Sequence, residues 1–202
     1  MSLMQRVVLA SSNAGKLVEL RELLADSGIE LIAQTDLGIV DAEETGLTFV
    51  ENAILKARHA ARLSGMPALA DDSGLCVAAL GGAPGLYTAR YAGIHGDAVA
   101  NNRQLLDVMR DIPDGQRNAY FHCSLALLYS ADDPAPLIAE GRWHGTILHA
   151  PRGSGGHGYD PLFFDPSLGV GAAEMAASEK NRISHRGKAL AALRTAFGRI
   201  LT

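Results

Sequence analysis

The sequence predicts an α/β chain around a mixed sheet, and three observations predict it. Val7-Val8-Leu9-Ala10 is an apolar, β-branched run closed by Ser-Ser-Asn-Ala-Gly, after which Leu17, Leu20, Leu23 and Leu24 recur at helical spacing. Strand, small-residue turn and helix open an α/β domain. A well-marked helix starting beside Thr48 then leads into Ala68-Leu69-Ala70, a short buried strand. Finally, Ala119, Phe121, Cys123, Leu125 and Leu127 alternate with Tyr120, His122 and Ser124, the period of a half-buried strand. Asp132-Asp133-Pro134 turns the chain into its expected antiparallel partner at 137–148, so the second lobe reads as hairpin-rich.

Gly28 is the stop expected for the first helix. Thr48-Phe49-Val50-Glu51 fits a capping box for the second, with Val50, Ile54, Ala57 and Ala61 as its apolar stripe and Gly65 and Pro67 at its end. Ala68-Leu69-Ala70 is expected to deliver Asp71 and Asp72 at its C-terminal end, and 75–80 to form a separate strand before Gly81-Gly82-Ala83-Pro84-Gly85. A helix is predicted over 98–110, with Leu105, Leu106 and Met109 inward. A Gly-rich loop follows at 152–161, then a short strand at Leu162-Phe163-Phe164. The last helix starts near Ser184 and turns Leu190, Leu193, Phe197 and Leu201 to one side.

The 202 residues carry 18 Lys and Arg against 22 Asp and Glu, a formal charge of −4, which lacks the electrostatic footprint of a non-specific nucleic-acid binder. An apolar fraction of 48% with 20% charged residues is a globular balance. Two cysteines, Cys76 and Cys123, lie in apolar runs and read as small buried hydrophobes. No window approaches the ~18 apolar residues of a membrane span, and the N-terminal run is too short for a secretory signal. The expectation is a soluble, cytoplasmic protein.

Five places could carry chemistry. Ser11-Ser12-Asn13-Ala14-Gly15-Lys16 lies between strand and helix, where backbone amides and the helix dipole face an anion; it is not a Walker A loop, and an ordinary capped turn is the alternative. Asp71-Asp72 and Glu43-Glu44 are carboxylate pairs without His or Cys, a donor chemistry that suits Mg²⁺ rather than zinc, with solvated turns as the alternative. Asn52, Lys56 and His59 share one helix face, either solvent-facing or, for Lys56 near Asp72 and Lys16, as a phosphate ligand. Gly155-Gly156-His157-Gly158-Tyr159-Asp160-Pro161 could set two rings against a flat ligand. Lys180 precedes Ser184-His185-Arg186, whose cations in a first helical turn oppose the macrodipole and call for an anionic or carbonyl partner.

These segments, in this order, resemble the Ham1/RdgB family of inosine and xanthosine triphosphate pyrophosphatases. The segments are Ser11–Lys16, 43–53, 70–75, 81–91, 158–161 and 183–189, and the resemblance runs from about 7 to 200. It implies one domain, 1–202, of two α/β lobes around a long mixed sheet with flanking helices, the active site in the cleft between lobes, and a homodimer. The implied reaction is Mg²⁺-dependent hydrolysis of a non-canonical purine nucleoside triphosphate to monophosphate and pyrophosphate. Ser11, Ser12, Asn13, Ala14, Gly15 and Lys16 would cradle the triphosphate. Asp72 would serve the attacking water and, with Glu44 or Glu43, the metal. Lys56 and Ser73 would touch substrate, and His157, Gly158, Tyr159, Asp160, Lys180, His185 and Arg186 would surround the purine. The family commonly has Gly where Ser12 stands and Phe where His157 stands. A Maf-type pyrophosphatase and a non-catalytic nucleotide sensor are the alternative functions, each without nucleic acid or membrane as partner.

Overall fold

Among the described residues, seven strands form one sheet in the order β2-β1-β3-β4-β5-β6-β7. They are β1 (Gln5–Leu9), β2 (Ile29–Ala33), β3 (Ala68–Val77), β4 (Asn118–Leu128), β5 (Leu137–Ile147), β6 (Phe163–Asp165) and β7 (Val170–Gly171). β1 runs parallel to β2 and β3, whereas β5, β6 and β7 pair antiparallel, so the sheet is mixed. The helices are α1 (Ala14–Leu24), α2 (Phe49–Ser64), α3 (Ala98–Val108), α4 (Ala177–Ile183) and α5 (His185–Ile200). The structure, a computed structural model, describes residues 5–25 and 28–200. The side chains of Gln5, Ala14, Leu23 and residues 197–200 lie outside that description, and so do the apolar positions expected at Leu23, Phe197 and Leu201.

The chain folds as two compact units. The first takes Met1–Asp72, Cys123–Gly141 and Arg186–Thr202; the second takes Ser73–His122 and Arg142–His185.

In the first unit the strand pleat sorts the core into two layers. Val7, Leu9, Leu69, Leu125 and Leu127 pack with Leu20 and Leu24 of α1 and Leu190 and Leu193 of α5. Their neighbours Val8, Ala68, Ala70, Ala126 and Leu128 turn to the other side, against Ala53, Ala57, Ala60 and Ala61 of α2. With both faces covered, the strands read as near-continuous apolar runs. The α2 stripe is therefore all alanine: of the expected stripe, Ala57 and Ala61 are buried and Val50 and Ile54 only partly so.

In the second unit, Leu75, Val77, Leu105, Met109, Trp143 and Ile147 gather around Phe121 and Phe163. Their rings pack closely, with the Phe121 and Phe163 centroids 4.7 Å apart and those of Trp143 and Phe163 4.9 Å apart. The Trp143 indole donates to Asp165 Oδ2 at 2.8 Å, which satisfies its N–H inside the core.

Two elements differ from the sequence expectation. β3 is one ten-residue strand carrying Asp71 and Asp72 in its middle, not two strands split by an acidic turn. α4 was not expected at all; its first residue follows Ala176, which offers no side-chain cap.

Candidate active site

The mid-strand position of Asp71 and Asp72 decides their chemistry, because neighbours on a strand point to opposite faces. Asp71 follows Leu69 onto the α1 and α5 side. Lys16 Nζ meets its Oδ1 at 2.5 Å, Arg186 Nε donates to its Oδ2 at 2.9 Å, and the Cys123 thiol donates to the same oxygen at 3.2 Å. Arg186 also donates through Nη1 to Glu19 Oε2 at 2.6 Å. Burial alone would raise the Asp71 carboxyl; Lys16 and Arg186 override it and hold the group well below the usual carboxylate range. The Cys123 thiol is pushed well up by burial and by the adjacent Asp71.

Asp72 follows Ala70 onto the α2 side. There Lys56 Nζ lies 2.6 Å from Asp72 Oδ1 and 2.9 Å from Glu44 Oε1. Burial raises the Asp72 carboxyl more than Lys56 lowers it, and Glu44 adds to the rise. Burial acts against the charge on Lys56, but the two carboxylates more than compensate and raise its ammonium. Adjacent carboxylates thus sit on two faces, Asp71 bonded to Lys16 and Arg186 and Asp72 to Lys56, while Lys56 also lowers Asp71 and Lys16 also lowers Asp72.

The loop bearing Glu44 is fixed by the N-terminal half of α2. Thr48 Oγ1 accepts from Glu51 N at 3.3 Å, and Glu51 Oε2 accepts from Leu47 N at 2.8 Å, one residue before the cap. The Thr48 hydroxyl, which donates to Glu51 Oε2 at 2.9 Å, and the Leu47 amide hold the Glu51 carboxyl low. Asn52 Oδ1 accepts from Gly46 N at 2.8 Å, and a Cβ on Gly46 would come within 2.7 Å of that oxygen, which is why glycine stands there. His59 Nε2 lies 3.1 Å from Val40 O. The expected polar stripe of Asn52, Lys56 and His59 is therefore a grip on residues 40–46, and Asn52 is buried rather than solvated. Glu43 is exposed, and among the described residues it forms no ion pair with Lys56.

The Ser11–Lys16 loop caps α1. Asn13 Oδ1 accepts from Lys16 N at 3.1 Å, Ser11 Oγ accepts from Asn13 N at 3.2 Å, and the first turn contains no acidic residue. That leaves the positive helix end without the carboxylate that most helices place there. Ser12 Oγ donates to Asp41 Oδ2 at 2.5 Å, and Asp41 Oδ1 accepts from the buried Gln34 at 2.5 Å.

The second unit holds the Gly-rich loop. Asp160 Oδ2 accepts from His157 N at 2.7 Å and pairs with Lys180, both side chains being buried. Gly156 has φ +72°, and a Cβ there would collide with the Asp160 carboxylate. The His157 ring is exposed. Tyr159 differs from the expectation of a ring facing a flat ligand: it is 4% exposed, packs in the core, and donates its hydroxyl to Thr88 O at 2.9 Å. His185 stacks on Phe121, with centroids 4.9 Å apart and planes at 16°. Ser73, the first residue of this unit, is partly exposed.

Arg186, which the resemblance puts at the purine, has its guanidinium buried here and bound to Asp71 and Glu19. The anion that its position in the first turn called for is supplied by the chain itself. Glu19 and Cys123 were missed as site residues. Glu19 lies three residues after Lys16 on the same helix, a spacing that puts both on one face; nothing local marks Cys123.

Comparison with known proteins agrees along nearly the whole chain. Residues 7–196 match the model of the Ham1 family. A dITP/XTP pyrophosphatase of Shigella flexneri is 59% identical over 187 residues, covering 93% of this chain and 95% of the relative. A HAM1 protein from Coxiella burnetii superposes with a TM-score of 0.90 at 51% identity, over 97% of this chain and 100% of that one. The Ham1 protein of Staphylococcus aureus gives 0.86 at 35% identity, over the same shares. On this agreement of sequence and fold, the chain belongs to the Ham1 family.

Proposed function

We propose that the chain hydrolyses non-canonical purine nucleoside triphosphates, those of inosine, deoxyinosine and xanthosine, to the monophosphate and pyrophosphate, and so cleanses the nucleotide pool. The dITP/XTP pyrophosphatase named among its relatives supports this reaction. The observation that carries the reading is the arrangement on β3: Lys16, which closes the anion-facing turn, is fixed by Asp71, and the next residue, Asp72, shares a cation with Glu44.

In this reading the Ser11–Lys16 amides and Lys16 hold the triphosphate, since phosphoryl transfer depends on positioning and charge neutralisation. Water adds across the anhydride between the α and β phosphates, and pyrophosphate leaves. Asp72 orients that water and accepts its proton. Lys56 steadies Asp72 and Glu44 and faces the phosphates. The Asp72–Glu44 pair fits Mg²⁺, because both donors are carboxylate oxygens already drawn to one cation, Lys56 Nζ. Among the described residues no three of His, Cys, Asp and Glu converge as a cage, and two carboxylates plus substrate phosphates is a common Mg²⁺ set. When bound, the ion would neutralise phosphate charge and make its water more acidic. The loop around Gly158 is read as the part that meets the base, with His157 exposed on it and Asp160 paired with Lys180. Arg186 serves as the brace of Asp71.

We place the protein in the cytoplasm, as a homodimer. Among the described residues no helix is long and apolar enough to cross a membrane. The test is pyrophosphate release from the inosine, deoxyinosine, xanthosine, adenosine and guanosine triphosphates, with and without Mg²⁺. Fast release from the first three, only with the ion, is expected. Release of orthophosphate, or equal rates on adenosine triphosphate, would overturn the reading.

A further inference from the structure

The loop read above as the base side is anchored from within its own unit. Two anchors belong to residues of the Gly-Tyr-Asp segment itself: Asp160 with His157 N and Lys180, and Tyr159 with Thr88 O. The third comes from α3, an element with no other part in the site. Asn102 Nδ2 donates to Gly158 O at 2.8 Å and, one turn back in its own helix, to Ala98 O at 2.9 Å.

A second feature separates Asn102 from an ordinary helix amide. Its Oδ1 is buried and meets no donor among the described residues. A buried acceptor without a partner destabilises a fold, whereas an apolar side chain of the same shape would not. That cost is kept at the residue that puts a donor on the carbonyl between the exposed His157 and the buried Tyr159. Gly158 has φ +61°, in the left-handed region, where glycine imposes little direction of its own. The orientation of the peptide after Gly158 thus depends on whatever holds its oxygen.

We infer that Asn102 is a positioning residue for base selection. By holding Gly158 O it fixes the peptide that joins His157 to the buried Tyr159, and so sets where His157 and the loop amides meet the purine. The inference rests on the reading of this loop as the base side.

Two variants test it. Asn102→Leu keeps the branched shape and removes both the donor and the orphan acceptor; Asn102→Asp keeps the shape and turns a carboxylate oxygen toward Gly158 O. In both, the preference for inosine over adenosine triphosphate in kcat/KM should fall about tenfold, the size of a modest pocket effect. Inhibition by tripolyphosphate, which has no base, should change less than about twofold. Amide hydrogen exchange at 157–159 should quicken while that of 11–16 stays the same, and the Leu variant should melt no lower than the parent. A merely structural role predicts the reverse: a lower melting temperature and an unchanged preference. A preference within about twofold of the parent in both variants, or unchanged exchange at 157–159, overturns the inference. A parent that does not prefer inosine triphosphate would overturn the proposed function instead, and hydrogen exchange would then decide the positioning claim by itself.

Discussion

Asp71 and Asp72 are consecutive residues of one strand, with the same side chain and opposite surroundings. Asp71 is fully enclosed and bonded to Lys16, Arg186 and Cys123, and its charge is locked on. Asp72 keeps some contact with solvent, is held by Lys56, and has its charge made harder to maintain. The lesson is that a strand can give two carboxylates one peptide step apart, about 3.8 Å, different bonding partners through the pleat, even though Lys56 still acts on Asp71 and Lys16 on Asp72.

The comparison breaks most visibly at Asp71. Asp71→Asn would leave Lys16 and Arg186 facing a neutral amide inside the core, and breaking a buried pair in this way costs about 3–5 kcal/mol. Urea unfolding at neutral pH measures it, and a loss under about 1 kcal/mol would show that the network does not hold the fold. Asp72→Asn should do the opposite, lowering kcat at least about a hundredfold, or roughly 2.7 kcal/mol of barrier, in a protein that melts no lower than the parent in metal-free buffer. Near-normal kcat in that variant would remove Asp72 from the chemistry.

Smaller effects sharpen the contrast. Lys16→Ala should weaken turnover by about tenfold to a similar degree for every base, since a phosphate contact carries no base information. A large difference between the inosine and adenosine substrates would contradict the phosphate assignment. The two carboxylates should also give opposite pH signatures. Asp71, depressed in the fold, contributes stability that is complete above the ordinary aspartate value of about 3.9 and is lost only as pH falls through its lower folded value. Asp72, raised in the fold, favours the folded state at low pH and loses that contribution as pH rises through its folded value. Acid titrations of stability for the parent and the two Asn variants separate these slopes, and slopes of the same sign would refute the assignment. The smallest effect is expected at Ser12→Gly. It removes an exposed hydrogen bond to Asp41, and steady-state kinetics should move by no more than about threefold, in keeping with an exposed bond at the low end, about 0.5 kcal/mol, of what such bonds contribute.

Elements with local marks were legible in the sequence. The β1 run and the capped start of α2 with its Gly65 stop carry signals within a few residues, and the alternation over 119–127 marks β4 as a strand, although both its faces are covered and His122 and Ser124 are buried. β3 was not legible as one strand, because Asp-Asp-Ser-Gly reads as a turn unless its partners are known. Those partners lie 55 residues before Asp71, at Lys16, and 115 after it, at Arg186. The same distance hid the true neighbours of Arg186, whose place in a first helical turn correctly asked for an anion without saying that the anion was internal. Tyr159 was misread for a related reason: glycines beside it signalled an open loop, whereas its ring belongs to the aromatic core. The Ham1 segments named the candidate residues, but only the contacts bring Glu19 and Cys123 to the Asp71 side.

The alanine stripe of α2 sets a tolerance on the whole arrangement. Ala53, Ala57, Ala60 and Ala61 meet a strand layer that is itself largely Ala and Val, so the interface has almost no side-chain torsions with which to absorb an added atom. Any branching at those positions would translate the helix as a rigid rod. Lys56, beside Ala57, would travel with it, and so would the grips on Val40 and Gly46. The 2.6 Å separation of Lys56 from Asp72 is therefore calibrated by methyl groups that carry no charge and touch no substrate. A larger residue at any of these four alanines is expected to lower activity with every polar residue of the site intact.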